Sequence, residues 1–273
     1  MDLEWTPRVR TYGAAGPAVV LLHGGPGAPG SMAPVGRGLA DAFRVLEPWQ
    51  RGSGGEPLTV ARHVEDLREL LDARCPGERP ALVGSSWGAM LALAFAAAHP
   101  GRASSLVLVG CGTFDTGARA RLEAVLEERM GPELRERLGR LPDEIADPDE
   151  RLRAMGELIL PLYAFDAVAD DTGTEACDAR SNRESWADML RLQAEGVYPA
   201  AFAGVDVPVL MLHGARDPHP GGMIRDGLRP HLPRLEYREW ERCGHYPWLE
   251  REVRGEFFEV LRAWLRPHGS SGA

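Results

Sequence analysis

Short runs of apolar residues recur along this chain, separated by longer stretches in which apolar residues return every three or four positions. A short, continuous apolar run is typical of a strand buried on both faces of a parallel sheet. The first run alternates weakly and predicts an early antiparallel strand, whereas the last is more polar and predicts an edge strand. The predicted strands are residues 9–12, 18–22, 43–46, 81–83, 105–109, 207–212 and 235–240.

Three of the intervening stretches predict helices. Residues 59–74 place apolar side chains on one helical face, and Thr59 is well placed to cap the first turn. Residues 86–99 are apolar nearly all round, which predicts a helix buried against the sheet. Residues 257–265 predict a closing amphipathic helix, followed by a frayed tail at 267–273. Strands that alternate with helices predict an α/β fold with a mostly parallel, doubly wound sheet.

One long segment interrupts this alternation. Residues 117–200 are rich in helical patterns and lack a good strand, and they contain 11 arginines against 19 acidic residues. We therefore predict a helical cap at 114–202, inserted into a core formed by 1–113 and 203–273. A linker is expected near 199–204, where the apolar runs of the core resume.

Composition excludes several classes of function. The formal charge of −9 over 273 residues argues against a nucleic-acid surface, which needs clustered basic side chains. The chain has no apolar run of 18 residues and no signal-peptide pattern at its start, so we expect a cytoplasmic protein that does not bind a membrane. Its four cysteines are widely spaced, which favours reduced thiols over a disulfide framework or a zinc ribbon.

The chain contains no lysine, so all 31 of its basic residues are arginines. This excludes a Schiff base, a pyridoxal phosphate attachment point, a P-loop and a Ser-Lys dyad. A nucleophilic serine in this protein must therefore be activated by a histidine.

The pattern Gly84-Ser85-Ser86-Trp87-Gly88 stands where a predicted strand meets a predicted helix. In a nucleophile elbow the serine lies in a strained turn that exposes its hydroxyl, and the residues on either side must be small. A plain tight turn explains the same residues, because glycine and serine are common in turns. The pattern therefore makes Ser86 a candidate nucleophile that needs support from elsewhere in the chain.

That support comes from an acid and a base later in the chain. Asp217 follows the predicted strand 207–212, and His245 follows the predicted edge strand, so the three residues have the order that this type of site requires. Taken singly, Asp217 is explained as a turn residue before a proline and His245 as a loop histidine. His213 and His219 compete for the role of base, but His213 precedes Asp217, and His219 suits a place in the pocket wall.

Acyl transfer also needs hydrogen-bond donors for the oxyanion that develops on the carbonyl. The backbone N–H of Trp87, directly after Ser86, is one candidate. The other comes from Gly24 or Gly25, in the segment His23-Gly-Gly-Pro-Gly27 that follows a buried strand. A flexible Gly-Pro turn is the alternative explanation, and the glycine spacing does not fit a dinucleotide site.

These segments together resemble the α/β-hydrolase superfamily and, within it, the proline iminopeptidase group. The similarity rests on HGGPG at 23–27, GSSWG at 84–88, the aspartate of HGARD and the histidine of CGH. It covers residues 5–112 and 203–266, and it implies an α/β-hydrolase fold. Hydrolysis through an acyl-enzyme at such a site needs no metal or cofactor. The similarity further implies one role for each site residue: Ser86 as nucleophile, Asp217 as acid, His245 as base, and Gly25 and Trp87 as oxyanion donors.

The substrate implied by this resemblance is a short peptide with a free amine, but the chain departs from the group in two places. The segment 49–55 lacks the leading aspartate and final serine of the group's usual pattern. The cap glutamates that bind the amine in the group have no clear counterpart among Glu157, Glu175, Glu184 and Glu195. Two alternatives stay open: an esterase or lactonase acting on small molecules, and a binding protein without turnover. In the esterase, apolar cap residues would line the acyl pocket: Leu158, Leu160, Leu162, Tyr163, Phe165 and Trp186.

Overall fold

A seven-stranded sheet lies at the centre of the computed structural model, which describes residues 7–27, 29–169 and 176–268. The strand order is β1-β3-β2-β4-β5-β6-β7, and every neighbouring pair is parallel except β1 with β3. The strands are β1 Val9–Tyr12, β2 Ala18–Leu22, β3 Arg44–Pro48, β4 Ala81–Ser85, β5 Leu106–Val109, β6 Val209–Gly214 and β7 Leu235–Trp240. The mostly parallel, doubly wound sheet is therefore confirmed, with its antiparallel first strand.

Helices cover both faces of the sheet. They are α1 Ala33–Leu39, α2 Val60–Arg74, α3 Trp87–Ala98, α4 Thr116–Arg129, α5 Pro132–Glu144, α6 Pro148–Tyr163, α7 Ala179–Ala194, α8 Gly221–Leu228 and α9 Arg254–His268. Short 3-10 helices occupy Ala200–Gly204 and Pro247–Leu249. The predicted cap of α2 is present, because the Thr59 hydroxyl accepts a hydrogen bond from the backbone N–H of Arg62 at 3.1 Å.

The strands are apolar throughout because both of their faces are buried. In β2, Val20 and Leu22 face a core shared with α2, α3 and α8, whereas Val19 and Leu21 face a second core shared with α1 and α9. Helix α3 lies in the middle of the first core and packs on β2, β4, β5 and α2. This accounts for its apolar surface on all sides.

Two helices, α1 and α8, were not predicted from the sequence. Helix α1 contains Gly36 and Gly38, which are unfavourable inside a helix but permit close packing here. A Cβ on Gly36 would lie 2.4 Å from the Tyr12 ring, and one on Gly38 would lie 2.2 Å from the Phe258 ring. Helix α8 begins with two glycines. Residues 267 and 268 do not belong to a frayed tail as predicted, because α9 continues to residue 268, and positions 269–273 lie outside the described residues.

Helices α4 to α7 follow one another between β5 and β6, in the segment predicted as a cap. Helix α7 is fastened to the start of α2 and to the loop before it by two acidic side chains. Glu184 accepts a hydrogen bond from the Leu58 N–H at 2.9 Å, and Asp188 accepts one from the Val60 N–H at 2.8 Å. The boundaries of the cap at 114–202 stay a prediction.

Two further observations bear on expectations from composition. All four cysteines are free thiols. Among the residues that the structure describes, no helix combines the length and apolar character needed to cross a membrane.

Candidate active site

The predicted site residues lie at one edge of the sheet, where the parallel strands end. Gly24 follows β2, Ser86 follows β4, Asp217 follows β6 and His245 follows β7. In sheets of this kind the loops at the carboxyl ends of the strands form the binding crevice. The topology therefore collects residues that are far apart in sequence at a single edge.

Ser86 occupies the sharp turn between β4 and α3, with φ 52° and ψ −115°. It has the left-handed φ that strains a residue with a side chain. The two glycines around it are required by close backbone contacts. A Cβ on Gly84 would lie 2.2 Å from the Gly88 carbonyl oxygen, and one on Gly88 would lie 2.0 Å from the Leu22 carbonyl oxygen. Ser86 thus lies in a strained turn between two closely packed glycines, which is the backbone that the nucleophile-elbow interpretation predicts.

Asp217 and His245 form a buried, hydrogen-bonded pair. The Nδ1 of His245 lies 2.6 Å from Oδ2 of Asp217, and the exposed fractions of the two side chains are 2% and 0%. Because an ionised carboxylate only accepts hydrogen bonds, Nδ1 carries the proton and Nε2 of the neutral ring is left as the acceptor. His245 is therefore held in the tautomer that a general base requires.

The other two candidate histidines also contact this carboxylate. His219 donates to Oδ1 of Asp217 from its backbone N–H and from Nδ1, both at 2.9 Å. His213 is fully buried, and its Nε2 lies 2.9 Å from the His219 carbonyl oxygen and 3.3 Å from Oδ2 of Asp217. His213 is thereby excluded as a base, whereas His219 lies in the wall of the cavity described below, as predicted.

Burial and the neighbouring groups shift the pKa values of this pair in opposite directions. Burial by itself would raise the pKa of Asp217, but the neighbouring His245, His219 and His213 hold that pKa well below its ordinary value. Burial lowers the pKa of His245 and outweighs the raising influence of Asp217. His245 is consequently neutral, and Asp217 ionised, at neutral pH.

The segment after β2 is held in place by His23 and Gln50. The Gln50 N–H donates to Nε2 of His23 at 3.1 Å, so Nδ1 of His23 carries a proton and donates to the Gly24 carbonyl at 2.8 Å. In a planar peptide the carbonyl of Gly24 and the N–H of Gly25 point in opposite directions. The hydrogen bond from His23 therefore fixes the orientation of the Gly25 N–H.

Gly24 and Trp87 border Ser86 from two sides. A Cβ on Gly24 would lie 3.3 Å from the Ser86 Cβ. Trp87 is fully buried, and its indole N–H donates to the Gln50 side chain at 2.8 Å. Its backbone N–H belongs to the first turn of α3, where N–H groups have no partner within the helix. The predicted oxyanion donors and Ser86 thus lie in adjoining segments.

A buried glutamate fastens the His245 loop. Glu250 is 1% exposed, and its carboxylate accepts hydrogen bonds from the backbone N–H groups of Gly244 and Phe165 at 2.9 Å and of Asp166 at 2.7 Å. The His245 N–H also donates to the Tyr163 carbonyl at 2.7 Å. The loop that carries the candidate base is therefore bound to the end of α6.

A cavity of about 810 Å³ joins these residues. Gly24, Gly25, Ser86, His219 and His245 line it on the side of the sheet edge. Most of the remaining wall is apolar and comes from α4, α6 and α7, including three of the predicted acyl-pocket residues, Leu160, Tyr163 and Trp186. The other three, Leu158, Leu162 and Phe165, lie outside its lining. The main apolar wall residues are Leu122, Leu152, Met155, Ile159, Leu160 and Leu190.

The acidic residues considered for binding an amine have different surroundings. Glu157 lines the cavity and pairs with Arg153. Glu184 is engaged with the Leu58 N–H, and Glu195 is ion-paired with an arginine one turn earlier in α7. Glu175 lies outside the described residues.

Two features of the site were missed from the sequence. The first is Gln50, which joins His23 to Trp87, and the second is Glu250, which fastens the His245 loop. Gln50 lies two residues after the end of β3 at the same edge of the sheet, and this position is a signal that would have revealed it. Nothing in the local sequence distinguishes Glu250 from a surface glutamate.

The fold, with its candidate site at the carboxyl edge of the sheet, has the architecture of an α/β hydrolase. A family model described as "Alpha/beta hydrolase family" matches residues 19–257. The chain belongs to the α/β-hydrolase family, and the resemblance drawn from its motifs is confirmed at that level.

Individual relatives differ in the reactions their names describe. The chain is 31% identical to a proline iminopeptidase of Neisseria gonorrhoeae over 213 residues, 72% of this chain but only 63% of that relative's length. It is 24% identical to a pimeloyl-[acyl-carrier protein] methyl ester esterase of Nitrosomonas europaea, covering 86% of this chain and 90% of the esterase. Among solved structures, VinJ superimposes with a TM-score of 0.68 at 21% identity, covering 95% of this chain and 94% of VinJ. At that identity the superposition establishes the fold alone.

Proposed function

We propose that this protein is a serine hydrolase that cleaves an ester or amide through an acyl-enzyme. The observation that carries the proposal is the buried His245–Asp217 hydrogen bond of 2.6 Å, whose histidine lines the same cavity as the strained Ser86. A nucleophile, a base in the correct tautomer and a buried carboxylate are the parts that this chemistry requires.

In the proposed reaction, Ser86 Oγ attacks the substrate carbonyl carbon while its proton passes to Nε2 of His245. The oxyanion is stabilised by the N–H groups of Gly25 and Trp87, with Gly24 close by. The bond to the leaving group then breaks, and His245 returns the proton to that group. Water, deprotonated by His245, attacks the acyl carbon and releases the acid, and Ser86 recovers its proton.

An ester with an apolar acyl group is the substrate class that the cavity supports best. Its wall is mainly apolar, and three wall residues that are partly exposed extend this surface toward solvent, with exposed fractions of 40% for Met155, 44% for Leu160 and 38% for Leu190. Apolar walls with a few placed polar groups are typical of small-molecule sites. The name of the methyl ester esterase relative describes a reaction on an ester, which belongs to the same class.

A proline iminopeptidase-like aminopeptidase is the second candidate. Two carboxylates, Glu123 and Glu157, lie in the cavity wall and would attract the free amine of a short peptide. Arginines stand beside both: Arg119 near Glu123, and Arg153 in an ion pair with Glu157. Because these arginines offset the negative charge, we place the aminopeptidase after the esterase.

A fluorophosphonate probe tests the serine chemistry. The wild-type protein should be labelled, and Ser86→Ala should lose both labelling and turnover, by about 10⁶-fold in kcat as for other serine hydrolases. A wild-type protein that is not labelled, or a Ser86→Ala variant that keeps wild-type turnover, would contradict the assignment and favour a binding protein without turnover.

The substrate class is tested by comparing a prolyl arylamide with short and medium-chain p-nitrophenyl esters. We expect the esters to have the higher kcat/KM. Glu157→Gln should leave ester hydrolysis unchanged, as should the control Glu195→Gln, whose carboxylate lies outside the cavity. A preference for the arylamide, with a KM raised by Glu157→Gln and not by Glu195→Gln, would establish the aminopeptidase instead.

A further inference from the structure

Three imidazoles share the single carboxylate of Asp217. His245 takes Oδ2 at 2.6 Å, His219 takes Oδ1 at 2.9 Å, and His213 lies 3.3 Å from Oδ2. The Asp217 side chain is completely buried. The chemistry proposed above uses only one of these imidazoles, so the other two need a separate explanation.

The hydrogen-bond partners determine the proton positions on the two additional rings. Nε2 of His213 faces the carbonyl oxygen of His219 and must therefore donate. Nδ1 of His219 faces the carboxylate and must also donate, so Nδ1 carries a proton in His219 as it does in His245. His213 thus fixes the backbone of His219, and His219 fixes the carboxylate.

The rings of His219 and His245 are also packed together. Their centroids are 4.8 Å apart with an interplanar angle of 22°, so the two imidazoles are stacked. Tyr163 contacts both, with ring centroids 5.9 Å from His219 and 5.4 Å from His245. His219 therefore restrains His245 in two ways, through the shared carboxylate and through the face of its ring.

His219 in addition lies beside the Asp217 carboxylate, which is fully buried although the residue borders a cavity. His219 lines the 810 Å³ cavity and also a second cavity of about 480 Å³, whose wall includes Asp217 and the α4 residues Arg121 and Arg129. With a smaller side chain at this position, water from both cavities would reach the carboxylate. A hydrated carboxylate interacts more weakly with His245, because the local dielectric constant rises.

We propose that His219 is a positioning residue, which holds Asp217 by Oδ1 so that Oδ2 is aligned with Nδ1 of His245. This inference rests on the proposed serine chemistry. Without the Nδ1–H of His219, the backbone N–H of the same residue is the one donor left on Oδ1 among the described residues, so the plane of the carboxylate is held less firmly. A turned carboxylate misplaces the imidazole, and a displacement of about 1 Å at a catalytic group lowers the rate by about 10²-fold.

The test compares His219→Asn with His219→Leu, using the ester for which the wild type has the highest kcat/KM. The amide nitrogen of asparagine reaches nearly the same point as Nδ1 of histidine, whereas leucine fills the space without a donor. We expect His219→Leu to lose about 10²-fold in kcat with little change in KM, and His219→Asn to recover most of that loss. The control is His231→Leu, which removes a histidine outside both cavities.

Each outcome decides the matter. A wild-type kcat in His219→Leu would overturn the inference, as would a raised KM with unchanged kcat, because the latter would make His219 a substrate contact. If His219→Leu does not fold by circular dichroism, His219→Gln replaces it, since its amide extends beyond the position of Nδ1; the same loss in kcat is then expected. Failure of the wild type to react with the fluorophosphonate would instead remove the proposed function itself.

Discussion

The backbone of Ser86 leads to a prediction about stability that is independent of the substrate. Its φ of 52° lies in the left-handed region, where a residue with a Cβ is strained by about 1–3 kcal/mol. Ser86→Ala keeps the Cβ and hence the strain, whereas Ser86→Gly removes both. Glycine in turn loses about 0.5–1 kcal/mol more than alanine through its freedom in the unfolded chain. We therefore expect Ser86→Gly to be more stable than Ser86→Ala by about 1 kcal/mol.

Ser85 provides the matched control, since it is the adjacent residue of the same type and lies in β4 without a left-handed φ. At that position Ser85→Gly should be less stable than Ser85→Ala by at least about 0.5–1 kcal/mol, because no relief of strain offsets the entropy of glycine and a buried Cβ is lost as well. The two alanine-to-glycine comparisons are thus expected to have opposite signs.

Urea unfolding followed by tryptophan fluorescence measures these differences, with equal m-values as the condition for comparing midpoints. In thermal unfolding, 1 kcal/mol corresponds to about 2–4 °C for a chain of this size. A Ser86→Gly variant no more stable than Ser86→Ala, alongside the usual loss at Ser85, would show that the turn is not strained. The inference of a nucleophile elbow would then lose its conformational support.

Three further predictions concern the Asp217–His245 pair and the loop that carries it. Because burial lowers the pKa of His245, kcat/KM should stay level as pH falls and decline only below the ordinary histidine pKa of about 6.5. A decline that begins well above this pKa would contradict a neutral, buried base. Asp217→Asn should lower kcat by about 10⁴-fold and, by removing the charge that raises the pKa of His245, move the acid limb of a pH–rate profile further down. Glu250→Ala leaves three backbone N–H groups without their acceptor, so it should reduce the free energy of unfolding by about 3 kcal/mol or more. Urea unfolding measures this loss, and an unchanged midpoint would mean that the His245 loop is held by other contacts.

The sheet was predictable because the apolar runs determine where its strands lie. All seven strands lie within two residues of their predicted limits, since a strand covered on both faces needs apolar side chains in succession. The site residues followed from the same runs, because Ser86, Asp217 and His245 each lie in the loop or turn after a strand. Chain order and strand position together located the candidate site without any three-dimensional information.

The features that were not predicted depend on contacts between segments that are distant in the sequence. Helix α1 is short and contains two glycines, and its helical conformation is supported by packing on Tyr12 and Phe258. The two-sided hold on Asp217 likewise exists only once β6 and β7 lie side by side, because His219 and His245 are 26 positions apart in the chain. A single sequence contains no local pattern for such arrangements.

The negative charge of the predicted cap has an explanation that does not involve a substrate. Three of its aspartates, Asp115, Asp147 and Asp178, accept hydrogen bonds from the first-turn N–H groups of α4, α6 and α7. Glu184 accepts from the loop before α2 and Asp188 from the first residue of α2, and both thereby fasten α7 to the core. An acidic side chain at the start of a helix is favoured by the helix dipole whatever the protein binds. The surplus of acidic residues in the cap is therefore weak support for a cationic substrate, and the choice between amine and ester depends on the few groups that face the cavity.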